Sequence, residues 1–264
     1  MNDGTLHATP RWREVALEQI RFVGLRLRRE ALVAAAVVGI VTLIIAVDIA
    51  RGSAETWFDS DEWIGIAFFS FLFPFAVWRR EKRFGPAFLW TLPVDRRHLA
   101  LTRVLAGWVW LMTALAFFMA WQHVLAILSR VAGAEIVPPI AIIGATAMYL
   151  LGSALVLGLR HPLRWLLGTA GVFFLLGTLN EALGRTTSGQ SRMFSSSEVL
   201  RWLVYGPYGI DTLLSSGRFH TAMSDATTVW RAHPQLAWAT TVILWLLISF
   251  AALWAAASRH REQR

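Results

Sequence analysis

The side chains best suited to chemistry are few in this sequence, and they do not cluster. The seven histidines, His7, His98, His123, His161, His220, His233 and His260, lie far apart, and no H-E-x-x-H sets two of them on one helical face. No cysteine is present, which excludes disulfides, thiolate nucleophiles and thiolate metal sites. There is no G-x-S-x-G, and the acidic residues of the polar segments are isolated. The only lysine, Lys82, stands in R-E-K-R, so the chain lacks the G-x-x-x-x-G-K-[ST] loop with which a P-loop motor cradles phosphate. The expectation is a chain that is not itself an enzyme, with no catalytic residue, no metal site and no cofactor of its own.

A second set of polar residues is embedded in apolar sequence. Gln122 and His123 lie within the run 104–128, and Asn180 and Glu181 close the run 165–183. Polar groups at membrane depth need partners and often face a bundle interior or a water path. Gln122, His123 and Asn180 are therefore candidates to line a translocation path; the alternative is that each satisfies an interhelical hydrogen bond. Asp48 and Glu62 stand at the ends of other runs and read as anchors at the interface. A proton relay would need a chain of buried acids, and none is written here.

The elements that must position these residues are long and apolar. The chain has 264 residues, of which 56% are hydrophobic, with a mean hydropathy of +0.50 and 14 tryptophans. A soluble domain is usually about 45–50% apolar. The excess falls in stretches that match a bilayer core ~30 Å thick at ~1.5 Å per helical residue. The fold class expected is all-α: a polytopic membrane protein forming a single transmembrane domain. Six spans are expected, at about 31–50, 62–78, 104–128, 138–159, 165–183 and 236–257. Pro74 is expected to kink the second, and Pro138 and Pro139 suit the first turn of the fourth. Small residues at spacing four, Ala35/Gly39, Ala141/Ala145, Ala251/Ala255 and Ala252/Ala256, allow close helix packing.

Residues 11–29 differ from these runs. Trp12, Ala16, Ile20, Val23 and Leu27 form one helical stripe, with Glu14, Glu18, Arg21 and Arg28 opposite. This predicts an interfacial amphipathic helix along the membrane leading into the first span; a basic tail that only sets orientation is the alternative. Leu17 and Leu25 intrude on the polar side.

Charge assigns the sides. Lys and Arg number six in the N-terminal arm, seven in 79–103, two in 160–164 and three in the C-terminal tail. The other connections, 51–61, 129–137 and 184–235, hold one, one and five. The positive-inside rule then places both termini in the cytoplasm of a bacterial cytoplasmic (inner) membrane. The net charge of +8 lies beside apolar runs, so it implies anionic lipid as a partner and not nucleic acid. The external segment 184–235 turns apolar after a polar start, so short helices resting on or dipping into the outer face are one reading and a surface loop the other.

The loop 79–103 holds seven basic residues around an apolar island, Phe84 to Leu92. Gly85-Pro86 opens the island. Phe88, Leu89 and Leu92 share a face of about two turns, Pro93 ends them, and Asp95 can cap the helix that starts at Arg96, Arg97 and His98. Such an element can pass force to or from a soluble partner.

Glu81 with Gly85, followed by L-P-V-D-R-R-H-L-A-L-T-R-V-L-A-G at 92–107, resembles the membrane subunits of ABC-2-type ABC transporters. Many members carry an acidic residue and a glycine after the second span, then Leu-Pro-Val, a small or polar residue and Arg. Asp95 stands here where many have Ser, and both cap helices. The motif covers about 25 residues, and the layout of spans and loops resembles the family over nearly the whole chain. The resemblance implies a separate ATP-binding cassette ATPase, with ATP and Mg bound by that partner, and a second six-span subunit, as a homodimer or heterodimer. It implies that the island is the cytoplasmic coupling helix between spans two and three, with Glu81, Gly85, Phe88, Leu89, Leu92, Pro93, Arg96 and Arg97 as the ATPase-coupling residues. For Glu81, Arg96 and Arg97, topology and lipid headgroups are the competing explanation. Polysaccharide exporters of the superfamily usually show an Arg-Asp…Tyr…Leu-Gly pattern near the first span. Residues 21–50 lack it, which favours export of a drug, peptide or lipid. The alternatives to a permease are an integral membrane enzyme acting on lipid, capped by 184–235, and a non-catalytic anchor or sensor subunit.

Overall fold

A computed structural model describes residues 12–51, 62–79, 96–129, 141–172, 175, 208–209, 213 and 234–262. Among these residues every regular element is helical. They are α1 (Trp12–Arg51), α2 (Glu62–Trp78), α3 (Arg96–Ser129), α4 (Ala141–Gly158), α5 (162–172) and α6 (Pro234–Glu262). Four of them, α1, α3, α4 and α6, are long and apolar enough to cross a membrane; α2 is a shorter apolar helix. The described part of the protein is thus all-helical, and the chain is membrane-embedded.

α1 departs from the sequence reading. The amphipathic stretch and the first apolar run form one unbroken helix of 40 residues, about 60 Å long at 1.5 Å per residue. No proline interrupts it, and the junction residues Arg29, Glu30 and Ala31 are strong helix formers. The striped face does not lie free along a membrane plane. Val23 and Leu27 are buried, and the helix runs beside α3 in the same direction. Trp12 meets His98 with ring centroids 5.0 Å apart, and thirty residues on, Trp121 Nε1 donates to Thr42 Oγ1 at 2.9 Å.

α4 is the helix the others pack around. Of its apolar window 67% is buried, against 28% for α3 and α6 and 6% for α1. Seven of its buried residues are small, Ala141, Gly144, Ala145, Ala147, Gly152, Ser153 and Ala154, beside the larger Met148, Tyr149, Leu150, Val156 and Leu157. Small side chains matter because lipid tails are as apolar as leucine, so helices in a bilayer associate by close contact instead of by expulsion of water. α2 continues through Pro74, which is buried. A proline has no N–H to give the Ser70 carbonyl one turn back. One residue on, the Phe71 carbonyl lies against Gly152, where an added Cβ would collide with its oxygen. On the opposite side of α4, Ser249 of α6 donates to the Ala147 carbonyl at 2.9 Å, and a Cβ built on Gly158 would lie 3.4 Å from that of Ala256. α3 crosses α4 in the reverse direction. Tyr149 Oη donates to the Val104 carbonyl at 2.6 Å, over Gly107, whose missing side chain leaves room for the hydroxyl. Trp108 Nε1 donates to Thr146 Oγ1 at 3.1 Å.

The small-residue pairs are therefore sorted by the fold. Ala141 and Ala145 are buried, and so is Ala256, beside the partly buried Ala252. Ala35, Gly39, Ala251 and Ala255 are exposed, and nothing lies within 4 Å of a Cβ built on Gly39.

Two shorter features complete the description. After α4 the chain turns at Arg160 and His161, and Pro162 opens α5 in the position that suits a residue without N–H. Within the long segment before α6, Leu213 is fully buried, its N–H bonded to the Gly209 carbonyl at 3.1 Å. Trp245 Nε1 donates to the Tyr208 carbonyl at 2.9 Å and Trp238 Nε1 to the Leu213 carbonyl at 3.3 Å. Seven residues separate these tryptophans, about 10 Å along α6. Tyr208 and Leu213 thus lie beside the apolar length of α6, where protein must cover backbone groups that no helix satisfies.

Gly152→Ala is expected to lower the thermal midpoint of the detergent-solubilised protein, at a cost of about 2–3 kcal/mol for overpacking against backbone. Gly39→Ala should leave the midpoint unchanged or raise it slightly, since the site is open and alanine favours helix. A thermal-shift series on the two variants checks both.

Candidate functional site

One end of the bundle collects the positive charge. It carries Arg21, Arg26, Arg28 and Arg29 of α1, Arg79 after α2, Arg97 and Arg103 of α3, and Arg160 and Arg164 around the α4–α5 turn. The loop 80–95 joins α2 to α3 at this end. Glu81, Gly85, Phe88, Leu89, Leu92 and Pro93 lie outside the described residues, as does Asn180. Arg96 opens α3.

What can be described is how the two ends of that loop are held. On the α2 side, Trp78 is buried, 2% exposed. The Arg103 guanidinium lies 4.7 Å from the Trp78 ring centroid and 5.3 Å from that of Phe22. Arg26 stacks on the same Phe22 at 4.4 Å. Three helices therefore meet at one cation: Phe22 and Arg26 from α1, Trp78 from α2 and Arg103 from α3. Arginine suits this place because its planar, weakly hydrated guanidinium stacks on aromatic faces. The next residue, Arg79, approaches Glu30 of α1 at 3.8 Å with its side chain 74% exposed. That pair is solvated and contributes little.

On the α3 side, the Arg97 guanidinium sits 3.5 Å from the centroid of Trp254 on α6. His98 meets Trp12 at the start of α1. Deeper along the same seam, Trp110 lies over Gly24, where a Cβ would strike the indole, and its Nε1 donates to the Ile20 carbonyl at 2.8 Å. The loop is thus flanked by residues bound to α1 on both sides and to α6 on one.

The polar residues of the third run separate. Gln122 is buried, 8% exposed. His123 is exposed, its Nδ1 2.7 Å from the carbonyl of Met119 in its own helix. Neighbours on a helix differ by about 100° in direction, so these two face different sides of α3. Among the described residues no three His, Cys, Asp or Glu side chains come together in a metal-binding group.

Arg103, Trp78, Tyr149, Trp110 and Gly24 were not singled out by sequence reasoning. A signal existed for Arg103. It shares a helical stripe with Ala100, Val104, Gly107 and Leu111, all of which are buried, and an arginine on such a stripe has to go inside. Compared with known proteins, the chain matches no family model, no curated protein and no solved structure.

Arg103→Ala is expected to destabilise the protein by about 3 kcal/mol or more, through the cavity left between two rings and the lost stacking. Glu30→Gln should cost under about 1 kcal/mol, as for other solvated pairs. Thermal unfolding of the two variants in one detergent ranks them; equal costs would contradict the stacked joint.

Proposed function

We propose that this chain is the permease subunit of an ABC-2-type ABC transporter. It crosses the bacterial cytoplasmic membrane six times, with both termini in the cytoplasm, and a second six-span subunit completes the transport unit. Power comes from a separate ATP-binding cassette ATPase, which binds ATP and Mg in place of the phosphate loop this chain lacks. The substrate class is a drug, peptide or lipid moved outward.

The reading rests on the motif at Glu81, Gly85 and 92–107, together with an all-helical membrane architecture whose charge gathers at one end. The observation that carries it furthest is the anchoring of the loop 80–95. A lever is useful only if its displacement reaches the elements that must move. Here the residues before the loop pack with Phe22 and Glu30 of α1, and those after it pack with Trp12 of α1 and Trp254 of α6. A push on the island Phe84 to Leu92 would be delivered to α1, α2, α3 and α6 together. In this scheme Phe88, Leu89 and Leu92 receive the push, Gly85 and Pro93 bound the lever, and Glu81, Arg96 and Arg97 stand at its charged flanks. Gln122 and Asn180 remain the candidates for the path, with the exposed His123 beside Gln122.

Two measurements test this. Tagged protein extracted in mild detergent should bring down a P-loop ATPase, and a gene for one should lie nearby; the absence of both would sink the proposal. Leu89→Asp and Leu92→Asp should leave membrane insertion intact while lowering ATP-dependent export by tenfold or more, because each places a carboxylate in an apolar contact. Unchanged transport in both variants would remove the island from the coupling role.

A further inference from the structure

The half of α1 that turns away from α3 has a chemistry of its own. Leu17, Leu25 and Leu32 are 65%, 65% and 63% exposed, and Arg21, Arg28 and Arg29 are exposed among them. At 100° per residue, Leu17, Arg21, Leu25, Arg28 and Leu32 fall within one quarter of the helix circumference, opposite buried Val23 and Leu27. The two leucines that spoil the polar side of the amphipathic pattern are therefore part of a second ordered face. Glu14 and Glu18 share this side only in the first two turns, and Glu30 points elsewhere, toward Arg79. From Arg21 to Leu32 every charge on the face is an arginine.

We propose that this face, Arg21, Leu25, Arg28, Arg29 and Leu32, binds the headgroups of anionic phospholipids, with the leucines in the acyl boundary. The occupant is argued from continuity. Beyond Leu32 the same face runs on, exposed, through Ala35, Gly39, Leu43 and Ala46, in a stretch long and apolar enough to cross a membrane. A surface that meets lipid tails at Gly39 and Leu43 meets headgroups a few turns earlier. α1 also stands at the edge of the bundle, only 6% of its apolar window being buried. Long cationic side chains beside leucine lay their methylene stems on apolar surface and lift the guanidinium to the phosphates. A negative surface potential rewards each arginine with ~1 kcal/mol, about fivefold in affinity. Bound lipid would hold the outer side of the helix whose inner side carries Phe22 and Arg26 of the three-helix joint. The inference does not depend on the transport reading.

The test is titration of a fluorescent-tailed phosphatidylglycerol into the purified full-length protein in neutral detergent, read by anisotropy, with the same label on phosphatidylcholine as control. Wild type should bind phosphatidylglycerol at least tenfold more tightly than phosphatidylcholine. R21Q/R28Q/R29Q should reduce that preference to twofold or less, and R21K/R28K/R29K should keep most of it, since charge and not fork geometry is read. Raising salt from about 0.05 to about 0.5 M should weaken wild-type binding, which tests the idea without any variant. Equal affinity of wild type for the two lipids, or an unchanged preference in the glutamine variant, would overturn it.

Discussion

Close approach at α4 is the constraint on which the rest of the structure depends. In an apolar solvent, burying leucine against leucine gains little over leucine against lipid, so cohesion has to come from contact distance and a few polar bonds. α4 meets that requirement with buried glycine, alanine and serine set among a few larger side chains. Gly152 admits the Phe71 carbonyl from α2. The Ala147 carbonyl accepts from Ser249 of α6, and Tyr149 reaches the Val104 carbonyl of α3. Three helices are thus fixed around a fourth by contacts that larger side chains would prevent. Among the described residues α1 joins this core chiefly through α3 and α2, which explains why so little of it is covered.

At the basic end the arrangement follows a different rule. There the side chains are long and cationic, and aromatic rings are their partners. Arg103 is 3% exposed between Phe22 and Trp78, and Arg97 covers Trp254. Arginine can be packed like a flat hydrocarbon on its faces while its edges stay polar, so stacking on rings ties these helix ends together. The solvated Arg79–Glu30 pair adds orientation more than energy. The consequence is mechanical: the segments on either side of the loop 80–95 are not loose ends but parts of the bundle.

Much of this architecture was legible because membrane helices announce themselves by length and hydropathy. The runs 31–50, 62–78, 104–128 and 236–257 fall within helices, as does Ala141–Gly158 of the run beginning near 138, while the end of the run 165–183 lies mostly outside the described residues. The boundary between the amphipathic lead-in and the first span was not legible, because the sequence changes composition at Arg29–Ala31 without any residue that ends a helix. Leu17 and Leu25 looked like noise when only one face of that helix was sought. The separation of Gln122 from His123 follows from helical periodicity, but which of the two turns inward depends on where α3 meets its neighbours.

By itself the sequence determined the fold class, the absence of a phosphate-binding lysine loop, the concentration of charge in a few connections and the small-residue pairs available for packing. These are properties of composition and local spacing, and each is set by residues close together in the chain. Tertiary structure alone decided which pairs were used, Ala141/Ala145 and Ala252/Ala256 but not Ala35/Gly39. It alone placed Arg103 between rings from two other helices and brought Tyr208 and Leu213 against Trp245 and Trp238. The reason is the same in each case: all are contacts across long sequence separations, and a helix that is apolar around most of its circumference does not state which side will be covered.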